Sequence, residues 1–581
     1  MMKKFLFFVV FLILAINIVG VTAQEVNVED KIILEDFYKL YKVDSIKTKT
    51  FISALNSTNN TDNLYYFKSG TPIMVKLCNI WGRLSSDTQT NIITILQQNH
   101  ESLDEQYETS HFRIHYTTSG RNSVDTTDSD NDNIPDYIEN LANYLEYSWS
   151  YEVNTMGFDE PADDFIDVYV LDIGAYGTTC WGPLPGGFCS CSGEIEIEID
   201  NSLNDDLLKV TAAHEFFHAV QTGDLYGMWC SEGDWLMEGT ATWCEDEVYD
   251  SVDDYVNYVN SLRGILHSPD FTSITQRDYD TVIFWKYLSE RYGISIIRSV
   301  MEHTRSQDGI PAVNSALQGI GTNFKDTFID FSVANYFNDY MYEEGDKYDD
   351  VTTIDITFTG KELKIDKDDG KGESLSTDEA DVNPWGIDYH VITLSDADRA
   401  LNITFNGENP PNHDFAVKVL GIDDSKYEEY GEIELDSNND GQITVNTEEY
   451  DRLVIIVIGQ NYGGDYEITL NEGKKYLKII SPTTESPANA GKYDNPRNID
   501  VTVEVKEDNT PITDLESDDF EITIGGKKAG VWIKDRSIPG RYVLEVSPPK
   551  QGKAGRYDLE VRVSYKGEIL ADAENDSVWY T

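Results

Sequence analysis

Hydrophobic and polar positions divide the chain into regions of different period. Lys3 and Lys4 precede an unbroken apolar run, Phe5–Gly20, and Val21-Thr22-Ala23 then offers small residues before Gln24. This layout predicts a secretory signal peptide over residues 1–23 and a mature chain that is secreted or associated with the cell surface. Residues 24–105 are mixed and polar, with sequons at Asn56-Ser57-Thr58 and Asn59-Asn60-Thr61. Between a signal peptide and a larger folded unit, such a segment reads as a propeptide. His111–Tyr116 alternates as a half-buried strand, and its two histidines share a face with Arg113, so they read as surface residues and not as ligands. Over residues 106–345 such strands are mixed with helical patterns, for example Ile138, Leu141, Leu145 and Trp149, which predicts an α+β domain.

Helical periodicity stops near residue 350. Short strand-like runs follow, among them Ile387–Leu394, Ala400–Phe405, Phe415–Leu420 and Leu453–Ile458, separated by Gly, Asn, Asp and Pro turns. Residues 350–475 therefore read as a β-sandwich. After the polar joint Ser481–Pro487, the runs Ile499–Val505, Phe520–Ile524, Arg541–Val546 and Arg556–Ser564 give residues 476–581 the strand spacing of an immunoglobulin-like module. No second apolar span of membrane length follows residue 23.

Composition changes the list of partners. The formal charge is −59, which excludes a nucleic-acid partner because phosphate backbones repel an acidic surface. With 40% hydrophobic and 12% aromatic residues, the chain still has material for real cores. All six cysteines fall in the first 244 residues, and an even count in an exported chain predicts disulfides there. Cys230 and Cys244 flank a candidate ligand helix, and a bridge between them would brace it.

The strongest chemical signal is Ala212-Ala213-His214-Glu215-Phe216-Phe217-His218. Histidines four apart lie on one face of a helix, so both imidazoles can converge on one zinc ion, with Glu215 between them as general base. A catalytic zinc site needs a third protein ligand. Glu238, in Trp235-Leu236-Met237-Glu238-Gly239-Thr240-Ala241, is one candidate. Asp224 is the other, although Gln221 stands where the turn leading to such a ligand needs glycine.

HExxH followed by a WLxEGxA-type segment resembles the gluzincins, the thermolysin- and aminopeptidase-like zinc peptidases. The order of motifs over residues 65–345 also resembles a family of predicted secreted microbial metalloproteases. That order runs from Lys68-Ser69-Gly70-Thr71-Pro72 through the His111 strand, an Asp-rich loop and the zinc motif to Phe284-Trp285-Lys286-Tyr287-Leu288. The resemblance implies a zincin-like fold, His214, His218 and Glu238 as zinc ligands, and Glu215 as the base that takes a proton from a water acidified at the metal. It implies outer support for the ligands from Glu245, with Thr242 on the same helix, and an oxyanion donor in Tyr279. Ser69 stands where the family has a cysteine, which removes the family's early disulfide. An aminopeptidase needs a Gly-x-Met-Glu-Asn segment, which is absent, so the expected activity is endopeptidase cleavage of protein or peptide substrates. The competing expectation is a cell-surface adhesion protein with an inactive protease-like domain. In either case the C-terminal β-domains are candidates for contact with cell-surface components.

A second metal is expected at Asp128–Glu139. Asp128, Asp130, Asp132, Asp136 and Glu139 occupy positions 1, 3, 5, 9 and 12 of a twelve-residue loop, with the Ile134 carbonyl at position 7. This is the coordination order of an EF-hand-type calcium loop, with Asn133 in place of the usual glycine.

Overall fold

The computed structural model describes residues 28–43, 67–161, 165–181, 195–222, 226, 232–360, 362–365, 381–394, 400–423, 426–447, 450–507 and 510–581. The expected signal peptide, both sequons, Asp224 and Cys230 lie outside them. Two compact units divide the chain: Met1–Tyr255 with Arg291–Ala316, and Val256–Glu290 with Leu317–Thr581. The N-terminal part is α+β and the C-terminal region is a large assembly of β-sheet.

The first unit is built on a six-stranded sheet. Its strands are β1 (Phe67–Ser69), β2 (Glu105–Glu108), β3 (Phe112–Tyr116), β4 (Ile166–Leu171), β5 (Ala175–Trp181) and β6 (Ile195–Asp200), in the order β1-β5-β6-β4-β3-β2. β3, β4 and β6 run parallel, β5 is antiparallel to β6, and β1 adds to the far side of β5 in parallel. The alternation read at His111–Tyr116 is the β3 pattern: Phe112, Ile114 and Tyr116 are buried. His111 and His115 meet Glu146 and Asp167 at 2.8 and 2.6 Å, as paired surface residues.

Residues 28–105, so far as they are described, form a layer on this sheet. Helices α1 (Val28–Leu40), α2 (Thr71–Ile80) and α3 (Ser86–His100) bury Phe37, Leu40, Met74, Leu77, Ile92 and Leu96 in one cluster with Leu171, Ile173 and Ala175 of the sheet region. Pro72 opens α2, where its missing N–H costs no hydrogen bond. Gly70 is required by close approach: a Cβ there would stand 2.9 Å from both Leu40 and Thr178.

Three further helices carry the chemistry. In α4 (Asp136–Trp149), Ile138, Leu141, Leu145 and Trp149 are buried, as their spacing predicts. α5 (Asp205–Thr222) starts with Asn204 accepting from the Leu207 N–H at 3.0 Å and with two acids in its first turn, both favourable at a helix N-terminus. Its second half is buried on every side. Phe216 packs on Phe112 and Trp149, and Phe217 on Phe158 and Trp243, which fixes the rotation of α5 about its axis. α6 (Asp234–Val248) lies against it.

In the second unit the expected strand runs are all strands, at Ile387–Leu394, Ala400–Gly407, Asp414–Asp423, Arg452–Glu472, Ile499–Glu507, Phe520–Ile524, Arg541–Ser547 and Gly555–Tyr565. They enclose two apolar cores, one from Ile356 to Leu470 and one from Leu477 to Tyr580. Arg452–Glu472 spans two ladders. Its first half pairs with Ile387–Leu394 and Asp414–Asp423 and its second half with Ala400–Gly407, on either side of Gly463 and Gly464 at positive φ. A parallel contact of Thr444 and Val445 with Leu570 and Ala571 makes the large sheet continuous from one core to the next. Among the described residues, no helix is long and apolar enough to cross a membrane.

Candidate metal centre and its surroundings

His214 and His218 stand one turn apart on α5, and Glu238 projects from the second turn of α6. All three are buried. The His214 and His218 Nε2 atoms are 3.1 Å apart. The two Glu238 oxygens lie 3.2 Å from His214 Nε2 and 3.3 Å from His218 Nε2. In a tetrahedral zinc site with bonds of ~2.0–2.1 Å, ligand atoms stand roughly 3.3 Å apart, so this donor set has the spacing zinc requires.

The other ring nitrogens explain why the two Nε2 atoms face one another. His214 Nδ1 meets Glu245 Oε1 at 2.6 Å, and His218 Nδ1 meets Gln221 Oε1 at 2.7 Å. Gln221 donates its amide nitrogen to the Met237 carbonyl at 2.8 Å, which fixes its oxygen on His218. Both Nδ1 positions are thus donors, and both Nε2 atoms present lone pairs to the same point. Two facing lone pairs repel unless a proton or a cation lies between them. Without a metal, the positive charge between the two carboxylates is carried by His214 itself, as an imidazolium whose Nε2 proton faces Glu238. Burial opposes its charged form, yet the carboxylates of Glu238 and Glu245 outweigh burial and push its pKa up to about 10. Burial likewise opposes ionisation of Glu238, but His218 and His214 hold its carboxyl well below the usual range.

Glu215 points to the sheet. Ser69 Oγ donates to its Oε1 at 3.0 Å, and Thr71 Oγ1 donates to Oε2 at 3.0 Å. Thr179 Oγ1 lies 2.8 Å from Oε2. A Cβ on Gly177 would come within 2.6 Å of Glu215 Cγ, so only glycine lets β5 pass this close. Glu245, besides orienting His214, receives Lys68 Nζ at 2.9 Å, and the same ammonium reaches Asp254 at 2.8 Å. Lys68, Ser69, Thr71, Thr179 and Gln221 are the site residues that sequence reasoning missed. The Lys68–Pro72 motif was visible, but nothing local to it announces a contact with a helix more than a hundred residues away.

Other expected site residues are placed differently. Thr242 is buried on α6, and its hydroxyl meets no partner among the described residues, so it does not support the ligands. The Cys230–Cys244 bridge is not made. Cys244 is a free, fully buried thiol on α6 beside Glu152. Cys78 is disulfide-bonded, and Cys180 is a free buried thiol. Tyr279 belongs to the second unit, half-buried in a short 3-10 turn with its ring 5.3 Å from Tyr258.

The acidic loop has the turn its sequence predicts. Asp128, Asp130 and Asp132 gather with oxygens within 4.8 Å of one another. Asp128 accepts from the Asn131 and Asn133 N–H groups at 2.7 and 3.0 Å, and Asp132 accepts from the Ile134 N–H at 2.8 Å. Asn131 and Asn133 take positive φ of 65° and 77°, conformations asparagine tolerates. Asp136 turns aside to Ser129, whose hydroxyl and N–H hold its carboxyl below the usual range. Burial raises the Glu139 carboxyl, and the nearby Asp130, Asp132, Asp136 and Asp128 raise it further. A calcium titration is expected to raise the melting temperature by roughly 5 °C, and Asp130→Asn to abolish that rise. An undiminished rise in the variant would place calcium elsewhere.

No curated protein sequence matches the chain. Among solved structures, part of an endo-β-1,4-mannanase from Thermotoga petrophila is similar at 12% identity and a TM-score of 0.14, over 18% of this chain and 20% of the mannanase. The chain thus spans about a fifth of that enzyme's length. The Lin-41 filamin domain is similar at 15% identity and a TM-score of 0.13, over 18% of this chain and 93% of that domain. A DUF4785 family protein from Legionella pneumophila is similar at 11% identity and a TM-score of 0.16, over 38% of this chain and 64% of that one. A family model covers far more: it matches residues 83–461, from α2's C-terminal flank through α5 and α6 into the first β-core, and so the chain belongs to DUF6055, a family of unknown function.

Proposed function

We propose that this protein is a secreted zinc metalloendopeptidase of gluzincin type, with a zincin-like catalytic domain, a calcium-stabilised loop and appended β-domains, the last of them immunoglobulin-like. The observation that carries this reading is the trio of buried side chains His214, His218 and Glu238, whose two Nε2 atoms stand 3.1 Å apart with one Glu238 oxygen 3.2–3.3 Å from each, and each histidine is oriented through its other nitrogen. Zinc bound there would supply the Lewis acidity that activates a water and polarises a substrate carbonyl.

The chain's own residues do the remainder. Glu245 and Gln221 keep both Nδ1 atoms protonated, so that Nε2 is the basic atom of each ring. Glu215 takes the proton of the attacking water on Oε1, which carries one hydroxyl donor where Oε2 carries two. It then delivers that proton to the departing amine. The β-domains are proposed to bind substrate or cell-surface components.

The test is hydrolysis of an unfolded protein by the purified chain. Chelation is expected to stop cleavage, and added zinc to restore it. Cleavage that continues in the chelated, metal-free protein would overturn the reading.

A further inference from the structure

Strand β1 and the first turn of α2 sit on the candidate site in a way that a removable segment would not. Two of the hydroxyls aimed at Glu215, those of Ser69 and Thr71, have their acceptor side filled by a backbone N–H. Ser69 Oγ accepts from Thr71 N at 3.1 Å, and Thr71 Oγ1 accepts from Thr179 N at 2.8 Å. A hydroxyl has one proton, and with a lone pair engaged this way the proton is directed at the carboxylate. Ser69 and Thr71 are 2% and 0% exposed, so water does not compete for those bonds. Hydrogen bonds to a buried charged group are among the stronger ones, and a base held by these two, with the Thr179 hydroxyl shared between its carboxylate and its backbone carbonyl, keeps one orientation.

The ammonium of Lys68 works on the neighbouring ligand. It is nearly buried between Glu245 and Asp254, and Glu245 in turn holds His214 Nδ1. Without the ammonium, two carboxylates would face each other next to His214, and repulsion would turn Glu245 off the ring. The backbone is tied in equally. Phe67 N donates to Gly174 O and Gly70 N to Gly177 O, both at 2.8 Å, which covers the edge of β5. The helices on either side of β1 bury a shared apolar cluster with the sheet.

Resting on the metallopeptidase reading, we propose that Lys68–Thr71 is a working part of the catalytic site and not part of a discarded propeptide. Ser69 and Thr71, with Thr179 opposite, are positioning residues for Glu215. Lys68 is a positioning residue for the Glu245–His214 pair. The active protein therefore keeps its chain from Phe67 onward, and any proteolytic maturation cuts before that residue.

The test uses the full secreted chain and four variants: Ser69→Ala with Thr71→Val, Thr71→Ser, Lys68→Met and Glu215→Ala. For each, zinc content, melting temperature, kcat and KM are measured on an unfolded protein substrate, and the active wild type is read for its N-terminal residue. The double variant is expected to bind one zinc per chain and keep its KM within about threefold while kcat falls about 10²-fold. Thr71→Ser, which retains the hydroxyl, should recover most of the wild-type kcat. Lys68→Met should weaken zinc binding roughly 10–100-fold, as loss of an outer partner of a ligating histidine does. The N-terminus of active protein should lie at or before Phe67. An unchanged or increased kcat in the double variant, or active protein beginning after Thr71, overturns the proposal. An increase would mean that the segment obstructs the site. Glu215→Ala separates the two claims: if it too cleaves normally, the enzyme reading itself has failed.

Discussion

Replacing Glu215 by alanine is expected to lower kcat by about 10²–10⁴-fold while zinc stays bound at one ion per chain. The proposed metal donors are His214, His218 and Glu238, and the Glu215 carboxylate is instead held against β1 and β5, so its removal takes away no donor. The expected split is therefore between chemistry and metal content. Both are read on one sample by a peptide-cleavage assay and elemental analysis. Glu215→Gln tests the same point without emptying the space: an amide accepts no proton at this pH, so cleavage should fall as far as in the alanine variant. Loss of zinc together with activity would mean that Glu215 holds the site together and is not its base.

His218→Ala is expected to abolish zinc binding and to lower the melting temperature by about 10 °C. A ligand present at a thousand times its dissociation constant stabilises by about 4 kcal/mol, and a domain of this size shifts by roughly 2–4 °C per kcal/mol. Two further costs point the same way. The variant leaves Glu238 as a buried carboxylate with one histidine fewer, and it leaves the Gln221 oxygen without its donor. A thermal melt with and without added zinc checks this. The wild type should gain stability with zinc and the variant should not. Equal gains would place the stabilising metal away from His218.

How much of this was legible in the sequence follows the range of the interactions. The His214–Glu215–His218 spacing lies within one helix, so the 3.6-residue period alone brings both imidazoles to one face. Glu238 and Glu245 share α6 at a spacing of seven residues, and one faces the metal position while the other faces His214 Nδ1. The acidic turn at Asp128–Ile134 was legible because its hydrogen bonds join near neighbours in the sequence. In the β-region, alternation located the strands but not their partners: the parallel contact of Val445 with Ala571 depends on register across more than a hundred residues. The same limit hid the Glu215 hydroxyls. Ser69 and Thr71 reach the base only because β1 joins β5 in parallel at Ser69 and Gly177. The cysteines were read from compartment and count, which carry no geometry. Cys244 turned out to face the core, and the bridge to Cys230 fell with it. Thr242 lies one turn after Glu238 on α6, yet its hydroxyl is buried without a partner among the described residues.

Whether His214, His218 and Glu238 hold a zinc ion is decided by X-ray absorption at the zinc edge on the purified wild-type chain. The expected spectrum shows one zinc per chain with two imidazole nitrogens and light oxygen donors at about 2.0–2.1 Å, and no sulfur shell. This signal is expected to disappear in His218→Ala. A chain that carries no zinc, a sulfur shell near ~2.3 Å, or a spectrum unchanged in the variant would contradict the proposed zinc site.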